Sequence, residues 1–218
     1  MSTLFSEDYR NLNSALHSRI PSYGTGGQRW APVVNLLADL AGCRTILDYG
    51  CGKQTLQLAL PNLKITGYDP AIPELSALPE SHDLVVCTDV LEHIEPAYLR
   101  NVLNDLVRVV NTVGLVVVST RPAEKVLDDG RNAHLIQQSP ADWITCFEMR
   151  FTVRFVQFSE RHSELLLLVG PKTRLRPVRY IADKLKAPKL SGSMGRIMEM
   201  VMKVWEMSWN GFPKVAIK

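Results

Sequence analysis

Apolar positions in this chain come as short continuous runs, separated by stretches with helical spacing. Residues 31–41, Ala-Pro-Val-Val-Asn-Leu-Leu-Ala-Asp-Leu-Ala, predict a helix with Pro32 in its first turn and Gly42 just past its end. The run at 45–48 predicts a strand that enters Tyr49-Gly-Cys-Gly-Lys and then a helix reaching Leu60. Two more strands are expected at 63–68 and 82–87, a helix from about Pro96 to Val110, and a fourth strand at 114–119. Such runs, with helices between them, fit a parallel sheet buried on both faces.

After a polar loop at 121–139, residues 140–148 predict a helix with Ser139 as its cap. Runs at 151–158 and 164–169 then predict an antiparallel hairpin at one end of the sheet. Alternating strands and helices followed by a hairpin describe a doubly wound α/β fold. Residues 1–30 read as polar and irregular, either a lid over a site or a frayed end. From about Met194, apolar residues recur at Ile197, Met198, Val201, Val204 and Trp205 with a polar stripe opposite, which predicts an amphipathic helix. The expected division is a segment at 1–30, one domain at 31–170 and an extension at 171–218.

Composition changes this picture little, and charge changes it more. With 218 residues and 46% hydrophobic content, the chain is sized for one globular α/β domain and an appendage. No apolar run approaches the roughly 20 residues that span a bilayer, and the first residues lack the pattern of a secretory signal. Cys43, Cys51, Cys87 and Cys146 are scattered without a CxxC pair, as expected of reduced thiols in a cytoplasmic protein. The net charge of +3 divides unevenly: residues 171–218 hold eleven Lys/Arg against three Asp/Glu, leaving −5 on the first 170. A basic stretch ahead of an amphipathic helix fits peripheral contact with an anionic membrane, docking on its own domain, or pairing in a homodimer. Nucleic acid is a poorer match, because aromatic residues are not interleaved with the basic ones.

The informative chemistry lies in Ile46-Leu-Asp-Tyr-Gly-Cys-Gly52, where a strand ends in an acid, turns through two glycines and opens a helix. A dinucleotide fingerprint needs a third glycine where this chain has Thr55, so a pyrophosphate is not the expected ligand. S-adenosylmethionine (SAM) has no phosphate, and its sulfonium and ammonium groups favour a carboxylate such as Asp48. Asp69 ends the next strand, the position from which an acid takes ribose hydroxyls in nucleoside-binding α/β folds.

Ile46–Gly52, Tyr68-Asp69 and Asp83–Ile94 together resemble successive motifs of class I SAM-dependent methyltransferases, over about residues 30–170. The likeness is to small-molecule enzymes with a Leu-Glu-His loop after the family's fourth strand. It implies a Rossmann-like, mostly parallel sheet and a cofactor site at Asp48, Tyr49, Gly50, Cys51, Gly52, Tyr68 and Asp69, with Thr88 and Asp89 from the later loop. One departure stands out. Only 13 residues separate Asp69 from Asp83, too few and too proline-rich for the usual helix and third strand. The fold is expected to be trimmed there, with the adenine contact supplied by Leu78 or a neighbour.

The loop Thr88-Asp-Val-Leu-Glu-His93 is expected near the SAM methyl, with three readings open. His93 acts as a general base; Asp89, Glu92 and His93, joined by His134, hold Mg²⁺ or Mn²⁺; or Glu92 and His93 merely cap and pack the following helix. The metal reading follows a resemblance to O-methyltransferases of ubiquinone synthesis and of small-RNA 3′ ends, whose first ligand is usually Glu rather than Asp. His134 shares a polar loop with Arg121, Lys125, Arg131 and Asn132, donors suited to an anionic or hydroxylated acceptor. The expected activity is O-methylation of a small or carbohydrate-like acceptor. An RNA-terminus methyltransferase and a non-catalytic SAM-binding scaffold are the alternatives.

Overall fold

The computed structural model describes residues 3–172; the basic stretch and amphipathic helix expected beyond them lie outside the described residues. Six strands are present there: β1 (Ile46–Tyr49), β2 (Ile65–Tyr68), β3 (His82–Thr88), β4 (Val110–Ser119), β5 (Phe151–Ser159) and β6 (Glu164–Pro171). They form one sheet in the order β2-β1-β3-β4-β6-β5. The first four are parallel, and β6 enters antiparallel between β4 and β5. The helices are α1 (Glu7–Arg19), α2 (Ala31–Ala41), α3 (Thr55–Ala59), α4 (Leu99–Val109) and α5 (Pro140–Glu148).

The apolar runs are continuous because both faces of the sheet are covered. Side chains alternate along a strand, so Ile46, Leu84, Val86, Leu115 and Val117 pack on the α2 side. Their neighbours Leu47, Val85, Cys87, Val116 and Val118 pack on the side of α4 and α5. Helix α4 offers Leu99, Val102, Leu103, Leu106 and Val109 to that second core, the spacing of one helical face. Ser139 caps α5 through a reciprocal pair with Asp142, worth about 1 kcal/mol. Trp143, fully buried, belongs to the core.

The trimmed region is as short as its prolines require. Between β2 and β3 the chain makes a 3₁₀ turn at Pro73–Leu75, and the Asp69 amide donates to the Leu75 carbonyl at 3.0 Å. Strand β2 is therefore an edge of the sheet.

Residues 7–19 correct the expectation of an irregular N-terminus: they form α1. Ser6 caps it, Glu7 and Asp8 fill its first turn, and Arg19 stands in its last, all favourable to the helix dipole. The helix lies over the loop after β4, where Tyr9 and Leu16 share a small apolar cluster with Leu127 and Ala133. No helix among the described residues is long and apolar enough to cross a membrane.

Candidate active site

A cavity of about 540 Å³ opens at the carboxyl ends of the parallel strands, where open α/β sheets bind ligands. Its first wall is the turn after β1. Gly50 and Gly52 have φ of 82° and 49°, a region that disfavours side chains. A Cβ on Gly50 would come within 2.3 Å of Val90, and one on Gly52 within 2.5 Å of the Gly24 carbonyl oxygen. The Gly50 and Cys51 amides donate to the Tyr68 carbonyl at 2.7 and 3.0 Å. Asp69 fixes the same turn, accepting from the Gly52 amide at 3.0 Å and the Ala71 amide at 2.9 Å. Asp48 and Asp69 both line the cavity. Burial, then the nearby Asp69 charge, pushes the Asp48 carboxyl up to about 7.

The chain ahead of α2 crosses this turn. Gly24 accepts from the Lys53 amide at 2.9 Å, the Lys53 ammonium reaches the Pro21 carbonyl at 2.8 Å, and Thr55 donates to the Thr25 carbonyl at 3.1 Å. His17 places Nε2 3.9 Å from Asp69, and burial lowers its pKa. Arg29, on the 3₁₀ turn Gly26–Trp30, anchors the crossing from the other side. It donates to both Asp89 oxygens at 2.9 and 3.0 Å and to Glu164 of β6 at 2.7 Å.

The Leu91–His93 segment is a 3₁₀ turn. Glu92 is fully buried; Oε1 accepts from the Ser119 amide at 2.8 Å, while Oε2 has no hydrogen-bond partner among the described residues. Burial, then Asp89, pushes its carboxyl up to about 8. His93 Nδ1 lies 2.8 Å from the Ala133 carbonyl and His134 Nδ1 2.6 Å from the Arg121 carbonyl. A carbonyl oxygen only accepts, so each Nδ1 carries the proton and each Nε2 keeps its lone pair. The two rings meet edge to face, centroids 4.7 Å apart. Burial, then His134, lowers the His93 pKa to about 4, and burial lowers that of His134. Both imidazoles are therefore neutral at physiological pH.

Not every expected residue reaches the cavity. Asp48, Gly50, Cys51, Gly52, Asp69, Thr88, Asp89, His93, Arg121, Lys125 and His134 line it. The Tyr49 and Tyr68 rings instead meet at a tilt in the core, centroids 4.9 Å apart, and the Tyr49 hydroxyl donates to Asp105 at 3.0 Å. Leu78 is 45% exposed and lies outside the cavity wall. Arg131 pairs with Asp129 at 2.6 Å on the surface. Asn132 clamps the loop, exchanging hydrogen bonds of 2.8 and 2.9 Å with the backbone of Ala123. Asp89 departs from the expected ligand set: it is bound to Arg29, and the compact donor cluster is Glu92, His93 and His134, with ligand atoms within 4.8 Å of one another.

Sequence reasoning left the first thirty residues as a lid or a frayed end and named none of them as site residues. Tyr9, Asn13, His17, Tyr23 and Arg29 all line the cavity. The Tyr9 hydroxyl donates to the His93 carbonyl, and the Tyr23 hydroxyl to Asn13 at 3.1 Å. The usable signal was the start of α1: Ser6 followed by two acids, with basic residues one helix length later.

Comparison with known proteins agrees with this geometry. A family described as "Methyltransferase domain" matches residues 22–161, more than half of the chain. No curated protein matches. Among solved structures, 1,6-didemethyltoxoflavin-N1-methyltransferase of Burkholderia thailandensis, crystallised with S-adenosylhomocysteine, aligns with a TM-score of 0.55 at 12% identity, over 78% of this chain and 91% of that one. Magnesium protoporphyrin IX methyltransferase of Synechocystis, also with S-adenosylhomocysteine, gives 0.52 at 15% identity, over 75% and 97%. Mitomycin 7-O-methyltransferase gives 0.51 at 13%, over 72% and 60%. At these identities the likeness is one of fold. A family match covering the glycine turn, both acids and the Leu-Glu-His segment places the chain among the class I SAM-dependent methyltransferases.

Proposed function

We propose that the chain moves the SAM methyl group to a hydroxyl of a small or carbohydrate-like acceptor, with His93 taking the proton. One observation carries this reading: His93 and His134 both commit Nδ1 to backbone carbonyls, which leaves Nε2 as an acceptor, and both residues line the cavity that Asp48 and Asp69 also line. The Gly50–Gly52 turn would take the cofactor's methionine portion, with Asp48 toward its cationic groups, and Asp69 would take the ribose.

In the transfer, the acceptor oxygen forms a bond to the methyl carbon as the carbon–sulfur bond breaks, and the electron pair stays on sulfur. The hydroxyl proton passes to Nε2 of His93. A depressed pKa does not disqualify the imidazole. It is unprotonated across the working range, and an oxygen that has gained a methyl group is far more acidic than imidazolium. His134, edge-on to His93, holds that ring in place.

A second reading concerns a metal. The unpartnered Glu92 Oε2 and the two Nε2 lone pairs fit a divalent cation with three protein ligands. Asp89 drops out of that set because Arg29 occupies it. Such an ion would acidify the acceptor hydroxyl. Calorimetric titration with Mn²⁺ or Mg²⁺, with Glu92→Gln as control, decides it: no binding, or binding unchanged in the variant, removes the metal.

Turnover with SAM on hydroxylated small molecules and glycans, read by mass spectrometry, tests the main proposal. A methyl ether lost in His93→Ala supports it; methylation confined to nitrogen acceptors overturns it. An RNA-terminus substrate would show activity falling steeply with salt. Cofactor binding without turnover on any acceptor would leave a scaffold. Cytoplasmic location, and contact of the extension with a membrane or a second copy, remain part of the proposal; vesicle flotation and sedimentation of the full chain address them.

A further inference from the structure

Helix α1 runs along the cavity, and its last turn carries a polar group that the protein leaves unused. Tyr9, Asn13 and His17 recur four residues apart, along one face of the helix, and all three line the cavity. Tyr9 and Asn13 are engaged: the Tyr9 hydroxyl donates to the His93 carbonyl, and Asn13 accepts from the Tyr23 hydroxyl at 3.1 Å. His17 is not. Its Nδ1 is buried with no hydrogen-bond partner among the described residues, and its Nε2 stops 3.9 Å from Asp69 Oδ2, too far for a hydrogen bond. The two side chains are only 13% and 10% exposed. The imidazole is nonetheless held in place. A Cβ on Gly24 would come within 2.6 Å of its Cε1, and the Tyr23 ring meets it edge to face with centroids 4.8 Å apart. Burial lowers the His17 pKa, so the ring is neutral at physiological pH and keeps one N–H donor. Asp69 also has capacity left, because each oxygen has a lone pair beyond the one that serves the Gly52 or Ala71 amide.

We infer that His17 completes the nucleoside site: in the cofactor complex one ribose hydroxyl lies between His17 and Asp69, accepting from Nε2–H and donating to Oδ2. An oxygen about 2.8 Å from both atoms bridges their separation with an angle of roughly 90° at that oxygen, which a hydroxyl's O–H bond and lone pair accommodate. Neither partner alone demands a hydroxyl, since a carboxylate takes any donor and an imidazole N–H any acceptor. Together they call for a group that donates and accepts at one atom. The contact is particular to this chain's N-terminal helix, because His17 precedes residues 22–161, the part matched to the methyltransferase family. One helix face then serves both halves of the site, with His17 at the ribose and Tyr9 on the His93 carbonyl. The inference rests on the assignment of Asp69 to the ribose.

Calorimetric titration of the full chain with S-adenosylhomocysteine and its 2′-deoxy and 3′-deoxy analogues reads the bridge without any turnover. In the native chain one analogue is expected to bind about tenfold weaker than the parent, which identifies the bridged hydroxyl. His17→Phe keeps a ring against Gly24 and Tyr23 but has no donor. It is expected to weaken the parent and the other analogue about tenfold, and the analogue lacking the bridged hydroxyl by less than about threefold. His17→Gln, which restores an N–H near the position of Nε2, should recover part of the loss. A uniform loss across the three ligands would mark His17 as packing alone, and parent affinity within about twofold of native in both variants would show no contact. Either result overturns the inference. Asp69→Asn separates it from the reading beneath it. If the deoxy penalty persists in His17→Phe but vanishes in Asp69→Asn, Asp69 takes the ribose without His17; if neither analogue suffers in the native chain, both readings fail.

Discussion

The two ends of the cavity are built by opposite means. The cofactor end is made from strand termini: β1 delivers Asp48, Asp69 follows β2 directly, and the Gly52 amide donates to Asp69. The acceptor end is made from pieces far apart in the chain, with α1, Tyr23, the Leu91–His93 turn and the 121–134 loop meeting through side chains. The first is fixed by the sheet; the second is fixed by the small core that Tyr9 and Leu16 make with Leu127 and Ala133. Cofactor binding therefore draws on the common fold, whereas acceptor choice draws on what is particular to this sequence.

The largest effect on cofactor affinity is expected where the two ends touch. Gly52→Ala puts a methyl group against the Gly24 carbonyl and displaces the crossing segment. SAM affinity should fall about 100-fold by calorimetry, with circular dichroism preserved; unchanged affinity would show that the crossing is not part of the cofactor site. His93→Ala should lower kcat about 100- to 1,000-fold while SAM affinity moves less than about threefold. A matched loss of both would erase the division between the ends.

Arg29→Met strips the cation from Asp89 and Glu164, and denaturant unfolding should show a loss of about 3 kcal/mol. Adding Asp89→Asn and Glu164→Gln should recover much of it. A smaller effect is pH-dependent. Because the Asp48 pKa is raised to about 7 in the fold, its share of stability is present below the unfolded value of 3.8 and is lost as pH rises through about 7. Glu92 acts in the same sense up to about 8. The ligand-free protein should therefore melt earlier at pH 8 than at pH 5. SAM favours ionised Asp48, so its affinity should rise about tenfold from pH 6 to 8 and flatten in Asp48→Asn. The least effect is expected for Arg131→Ala, under about twofold in turnover, since its partner is Asp129 at the surface.

The contrast also explains what was legible in the sequence. Strand ends announce themselves locally: an apolar run, an acid and two glycines suffice to place Asp48 and Asp69, and 13 residues with several prolines suffice to exclude a third strand. Arg29 gives no such signal. Its partners Asp89 and Glu164 are 60 and 135 residues away, and each reads alone as an ordinary surface charge. Asn132 and Arg131 carried the right chemistry in the right loop, but backbone and neighbouring groups had claimed them before any ligand arrives. Helix α1 was hidden by low hydrophobicity, because Asn13 and His17 line the cavity and its apolar contacts, Tyr9 and Leu16, join a small cluster apart from the sheet.

The segment from Ile20 to Gly24 lies across the glycine turn and is held there by Lys53 and by the close approach of Gly24 to Gly52. A molecule seated on that turn would lie under this crossing, so its exchange would require the Lys53 and Gly24 contacts to part, and the pace of exchange would be set by a segment that does none of the chemistry.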